Sequence, residues 1–98
     1  MKQYILVRWK TAPEGEPREF YSELDEERFE TRKVEVFAGG ILVRADENVH
    51  NDNTWLSHVP FPEPAEIEAE DPEDFEAMYI SEEQFLLKWN AANDARQR

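Results

Sequence analysis

"RKVEVFAGGILVRADENVHNDNTWL", residues 32–56, decides how the rest of the chain is read. Val34 and Val36 share one side of an extended chain, and Lys33, Glu35 and Phe37 share the other. That is the alternation of a strand with one buried face. Ala38-Gly39-Gly40 then offers glycines that accept the positive φ a two-residue hairpin turn demands, and the returning strand runs over 41–45. A β-hairpin therefore stands at the centre of the sequence. It leads into a polar loop, 46–53, that brings Asp, Glu, Asn and His together just before Trp55.

Working outward, the hairpin's first strand covers 29–37, and two further strands precede it. Gln3–Trp9, "QYILVRW", is β-branched and aromatic and reads as a central strand. "KTAPEGEP" is a turn region. Glu19–Leu24, "EFYSEL", places Phe20, Ser22 and Leu24 on one face and Tyr21 on the other. Downstream, "WLSHV" at 55–59 reads as a short edge strand closed by Pro60 and Pro62. Pro64–Glu70 is a short acidic helix with proline at its first position, ended by Asp71-Pro72. A further short strand is expected at 77–80. Ser81 then caps a terminal helix, with Gln84 reaching back and Glu82 and Glu83 complementing the positive helix end. Phe85, Leu86, Trp89 and Ala92 form its apolar stripe. The fold class is α+β: an antiparallel meander sheet of four to six strands, a C-terminal helix packed on one face, and the acidic helix beside it. One domain spans residues 1–98.

Six Phe, three Trp and three Tyr in 98 residues are enough for one core. No cysteine is present, which excludes disulfides and thiolate metal sites. Near the N-terminus the apolar run before the first charged residue after Lys2 is too short for a signal-peptide core or a membrane span, so cytoplasmic residence without membrane contact is expected. The net charge of −12 is segregated. Residues 1–44 carry eight bases against nine acids, and 88–98 carry three bases against one. Residues 45–87 carry thirteen acids and no base. Direct binding to nucleic acid is disfavoured by that balance. A basic protein partner is favoured, with its association accelerated by steering.

Several pieces together resemble a known family. They are Trp9; Tyr21-Ser22-Glu23; Glu30, Arg32, Lys33, Val34, Glu35 and Phe37; Ala45-Asp46-Glu47; Val59, Pro60 and Pro62; and the helix from Ser81 onward. In this order they resemble a small bacterial domain of about ninety residues and unknown function, marked by YSEL, ExRKVEVF, ADE and VPxP motifs. The resemblance covers most of the chain and implies no particular activity.

The polar loop begins like a calcium loop at Asp46 and Asn48 but puts His50 where an oxygen ligand belongs and Asn51 where the glycine belongs. Nothing fixes His50 and His58 at a zinc-ligand separation. No metal and no cofactor are expected, and the loop reads as a connection in which Asp and Asn satisfy backbone groups. The chain shows no nucleophile-base-orienter set and hence no catalytic residues. A small metal-dependent or hydrolytic enzyme using Asp46 to Asp52 is the alternative from another class, and a structural or assembly domain is a third. The leading expectation is an acidic protein-binding module: an immunity-type inhibitor of a basic toxin or nuclease, or a phage charge mimic. Its binding surface would be Asp46, Glu47, Asp52, Glu66, Glu70, Glu73 and Asp74, beside a charged hairpin face of Glu30, Arg32, Lys33, Glu35 and Arg44. Arg32 shares its side with Val34 and Val36, so it needs a carboxylate such as Glu23 or Glu47.

Overall fold

The computed structural model describes residues 1–50 and 54–94. The strands are β1 Gln3–Trp9, β2 Glu19–Leu24, β3 Glu30–Val36, β4 Leu42–Asp46, β5 Phe75–Ile80 and the two-residue β6 Asn93–Asp94; the helices are α1 Pro64–Glu70 and α2 Glu82–Ala91. They form one sheet in the order β5-β1-β2-β3-β4-β6. β1 to β5 pair antiparallel, and β6 adds a parallel pair beside Val43 and Arg44. The α+β expectation holds, with the terminal helix on one face. The first four strands are the meander read from the sequence, and β5 returns to flank β1.

β1 has neighbours on both sides and both of its faces are covered, which is why four consecutive residues, Tyr4 to Val7, are buried rather than alternate ones. On one face Tyr4, Leu6, Tyr21 and Val34 meet Phe85 of α2, with Trp89 and Leu86 beside them. On the opposite face Ile5, Val7, Leu24 and Ala77 meet Phe61, Ile67 and Phe75. That second face is roofed by the 54–62 segment and α1. Ser81 accepts the Gln84 N–H and Gln84 accepts the Ser81 N–H, the reciprocal cap expected of this sequence.

Two details differ from the sequence reading. The hairpin turn is three residues wide, closed by Phe37 N–H donating to the Ile41 carbonyl at 2.8 Å, with Gly39 and Gly40 both at positive φ. Residues 55–59 are not a strand. The Ser57 N–H that a ladder would need donates instead to the Glu30 carboxylate at 2.9 Å, and the Ser57 hydroxyl exchanges hydrogen bonds with Val59. A side chain from the sheet has taken the place of a neighbouring strand.

The first half of the sheet edge at β5 is covered by α1. The outward N–H of Phe75 donates to the Asp71 carbonyl, and that of Ala77 donates to the Glu68 carboxylate. Glu68 therefore serves the backbone, although nothing in its sequence neighbourhood distinguishes it from Glu66 or Glu70.

Candidate binding site

The five charged hairpin residues do not form one surface. Arg32 and Arg44 lie on the α2 face. The Arg32 guanidinium sits 5.2 Å from the Phe85 ring centroid and 4.9 Å from that of Trp89, and the Arg44 guanidinium also lies 4.9 Å from the Trp89 ring centroid. Arg44 also donates to the Trp89 carbonyl at 3.0 Å. Of the two carboxylates open to Arg32, the structure selects Glu23, which receives Nε at 2.9 Å and a second guanidinium N–H. Thr31 and Tyr4 hydroxyls donate to the same carboxylate. Glu23 is only 4% exposed. Burial pushes its carboxyl up, but the hydrogen bonds from Arg32 and Thr31 and the Arg32 charge outweigh that and hold it down to about 2. Burial, then the hydrogen bonds to Glu82 and Glu23, push the Tyr4 hydroxyl up to about 12.

Glu30, Lys33 and Glu35 belong to the opposite face. Strict alternation would put Glu30 with Arg32, but the register between β2 and β3 shifts at Glu23 and Leu24, leaving Thr31 as an extra residue. The bulge turns Glu30 to the side of Lys33 and Glu35. There Glu30 accepts the Ser22 hydroxyl at 2.7 Å as well as the Ser57 N–H. Glu35 accepts the Thr54 hydroxyl at 2.9 Å and pairs with Lys33 at 3.2 Å. Both glutamates are buried, at 8% and 4% exposure. They clamp residues 54–57 onto the sheet. These are roles of placement, invisible in a strand whose charges look like a solvated face.

The clamped segment and the end of β4 enclose a cleft of about 600 Å³ whose walls include Trp55, His50, His58, Phe29, Glu47 and Glu30. Asp46 lies in the same wall but is engaged: its carboxylate accepts the N–H of Asn48 at 2.8 Å and of Val49 at 2.9 Å, the turn chemistry expected of the loop. Both histidines of the chain line this one cleft. Among the described residues no group of three or more His, Asp or Glu side chains is arranged to hold a metal ion. Asp52 lies outside the described residues.

A second anchor of the segment is Arg28, which the sequence reading passed over. It adopts φ 70°, a left-handed backbone in the turn organised by Asp25. Its side chain donates to the carbonyls of Phe61 and Pro62 at 2.9 and 3.0 Å and to Gln3 and Tyr79, and it pairs with Glu63 at 3.1 Å. Its own carbonyl accepts the Phe61 N–H at 2.8 Å. Arg28→Gly would relax the backbone by about 1 kcal/mol and lose several charge-assisted hydrogen bonds worth about 1.5–3 kcal/mol each at most. The expected net loss is about 1–3 kcal/mol, with faster proteolysis within 54–62. A glycine variant as stable as the parent in urea titration would show that the latch contributes nothing.

The other acidic residues proposed for binding, Glu66, Glu70, Glu73 and Asp74, fall along α1 and the turn after it. Glu66 accepts the Glu63 N–H at 3.1 Å, and Asp74 accepts the Thr11 hydroxyl, so both have structural duties. Among the described residues, Glu47, Glu70 and Glu73 are in no hydrogen bond or ion pair and are exposed. Asp71 is raised from the ordinary aspartate range by its hydrogen bond with Asp74 and by the charges of Asp74, Glu73 and Glu70, a sign of crowded like charge.

With that geometry in place, comparison with known proteins adds one finding. Residues 3–94 match the family described as Domain of unknown function (DUF6881). The chain belongs to this family. No curated protein and no solved structure gives a significant match. The DUF6881 match spans the whole sheet, both helices and the cleft-forming segment. Among the described residues no helix is long and apolar enough to cross a membrane.

Proposed function

We propose that this DUF6881 protein is a binding module for a basic protein, engaged through the surface built by residues 45–76. The observation that carries the reading is the charge segregation and where it lands. Of the stretch 45–87, with thirteen acids and no lysine or arginine, residues 54–80 supply the roof over one face of the sheet and the β5 edge, while Glu82 and Glu83 open α2 on the opposite face. Most bases of residues 1–44 are in pairs, as with Arg8 to Glu19 and Glu76, Arg28 to Glu63, Arg32 to Glu23 and Lys33 to Glu35, while Lys10 and Arg18 stay exposed. Glu47, Glu70 and Glu73 are left to project an uncompensated negative field. A field of this kind raises encounter rates with a basic surface and presents like-charge repulsion to acidic ones. An immunity-type inhibitor covering the basic active face of a toxin, or a charge mimic acting on a nucleic-acid-binding protein, uses the same physics.

The test is association kinetics with a basic partner captured from the source cell or encoded beside this gene. Replacing Glu47, Glu70 and Glu73 with glutamine leaves the structural carboxylates intact. The association rate should fall about tenfold at low salt, and raising salt should narrow the difference as screening shortens to about 8 Å at physiological ionic strength. Unchanged kinetics in the triple variant, or partner contacts confined to residues 1–44, would overturn the reading.

A further inference from the structure

We propose that the cleft beside Trp55 is a socket for an arginine side chain presented by the basic partner. This rests on the protein-binding reading and specifies what one part of the surface recognises. The first observation is the wall. Trp55 is 48% exposed on a segment fastened at Thr54 and Ser57, so its position along the sheet is fixed while its side chain offers surface to solvent. Phe29 and Leu56 extend that apolar wall.

The second observation is the charge at the base. Glu30 is a carboxylate more than nine-tenths buried, and its donors among the described residues, the Ser22 hydroxyl and the Ser57 N–H, are both neutral. It is in no ion pair among those residues, in contrast to Glu23, which has Arg32, and Glu35, which has Lys33. A buried carboxylate usually has a cationic partner or coordinates one. Glu30 borders both the cleft and a smaller cavity of about 230 Å³ beneath Phe61, which Lys33 also lines without pairing with Glu30. Glu47 stands exposed on the cleft rim, and no lysine or arginine is among the described residues lining the cleft.

A guest that satisfies both observations needs a flat apolar-compatible face for Trp55 and N–H donors for carboxylates. A guanidinium has both, because it stacks on aromatic rings and bonds carboxylates with a rigid fork, whereas an ammonium is a compact, strongly hydrated point charge. The protein already contains this arrangement once: Arg32 lies over Phe85 and Trp89 while it bonds Glu23. The cleft presents the same elements, ring and carboxylate, with the arginine supplied from outside. Its volume of about 600 Å³ has room for an extended side chain and the peptide on either side of it.

The probe is a blocked tripeptide, acetyl-Gly-Arg-Gly-amide, compared with the same peptide carrying citrulline, which keeps the shape and removes the charge. Each is titrated into the isotope-labelled full chain. The arginine peptide should give saturable resonance shifts centred on Phe29, Glu47 and the Trp55 indole, at least tenfold tighter than citrulline. Trp55→Phe should keep most of this preference and Trp55→Ala should abolish it, with far-ultraviolet circular dichroism confirming that both remain folded. Equal binding of the two peptides, or shifts confined to α1, would overturn the socket. With the basic partner, Trp55→Ala should speed dissociation at least tenfold without changing the salt dependence of association. Partner binding that ignores Trp55→Ala but slows in the Glu47, Glu70 and Glu73 triple variant overturns the socket and leaves the acidic-surface reading standing. Indifference to both sets of changes overturns both.

Discussion

Phe85→Ala should lower the unfolding free energy by about 3–5 kcal/mol, a large part of the 5–15 kcal/mol available to a domain of this kind. Phe85 is completely buried and is the largest such side chain among the described residues. Its ring meets Tyr4 at 5.3 Å and Trp89 at 6.1 Å and sits under the Arg32 guanidinium. Truncation therefore opens a cavity and also removes one of the two rings that make a half-buried cation tolerable. The surroundings cannot collapse into the space easily, because Tyr4 and Val34 are held by strands with partners on both sides. Trp89→Ala should cost less, since its ring is only partly covered. Denaturant titration followed by circular dichroism checks both. A Phe85→Ala protein within about 1 kcal/mol of the parent would contradict the packing, because deletions of this size in a tight core do not go so lightly.

Acid should weaken the protein through Glu23, and Glu23→Gln should remove that sensitivity while destabilising the fold at neutral pH. The carboxyl is held at about 2 in the folded state against an ordinary 4.5. A depressed folded value means that the stabilisation is fully present above about pH 4.5 and is lost as pH falls from there through about 2. At about 1.4 kcal/mol per unit, the contribution is on the order of 3 kcal/mol. Glu23→Gln leaves Arg32 charged among aromatic rings without its directly paired carboxylate, with only the more distant Glu82 nearby, which should cost about 3 kcal/mol at pH 7. The check is the unfolding free energy of parent and variant at several pH values between 7 and 2. The two curves should converge on acidification. Curves that stay parallel would mean that Glu23 is not the group responsible.

Much of the architecture follows from local chemistry. "QYILVRW" carries too many consecutive apolar residues for a half-exposed strand, and it is an interior strand with both faces covered. Ser81 and Gln84, and proline at the start of Pro64–Glu70, mark both helix starts where they occur. The irregular segment at 55–59 was less legible, because its backbone is organised by Glu30, a residue distant in sequence and turned onto that face by a one-residue bulge. No pattern within "WLSHV" could announce this. The site suffers the same difficulty. Asp46 and Glu47 could be named from the acidic corner, but the cleft depends on Trp55 being held open and on Arg28 in a left-handed turn, where an arginine gives no warning in sequence. The charged hairpin residues looked equivalent by type. Register alone assigns Arg32 and Arg44 to one side and Glu30, Lys33 and Glu35 to the other.

The capping of the β5 edge by Glu68 and Asp71 has a consequence for how this chain can meet any other. Six-stranded sheets commonly recruit further strands along their margins, and that route underlies both strand exchange and fibre growth. Here the outward amides of Phe75 and Ala77 are already satisfied, and on the far margin Asn93 and Asp94 lie beside Val43 and Arg44. A visiting backbone would have to displace these contacts before it could pair. Contact with another chain at these positions is thereby left to side chains rather than to peptide groups, which every protein shares. Selectivity is built into the perimeter of the sheet as well as into its faces, and exchanging Glu68 for alanine should make the molecule more prone to self-association before it alters any face.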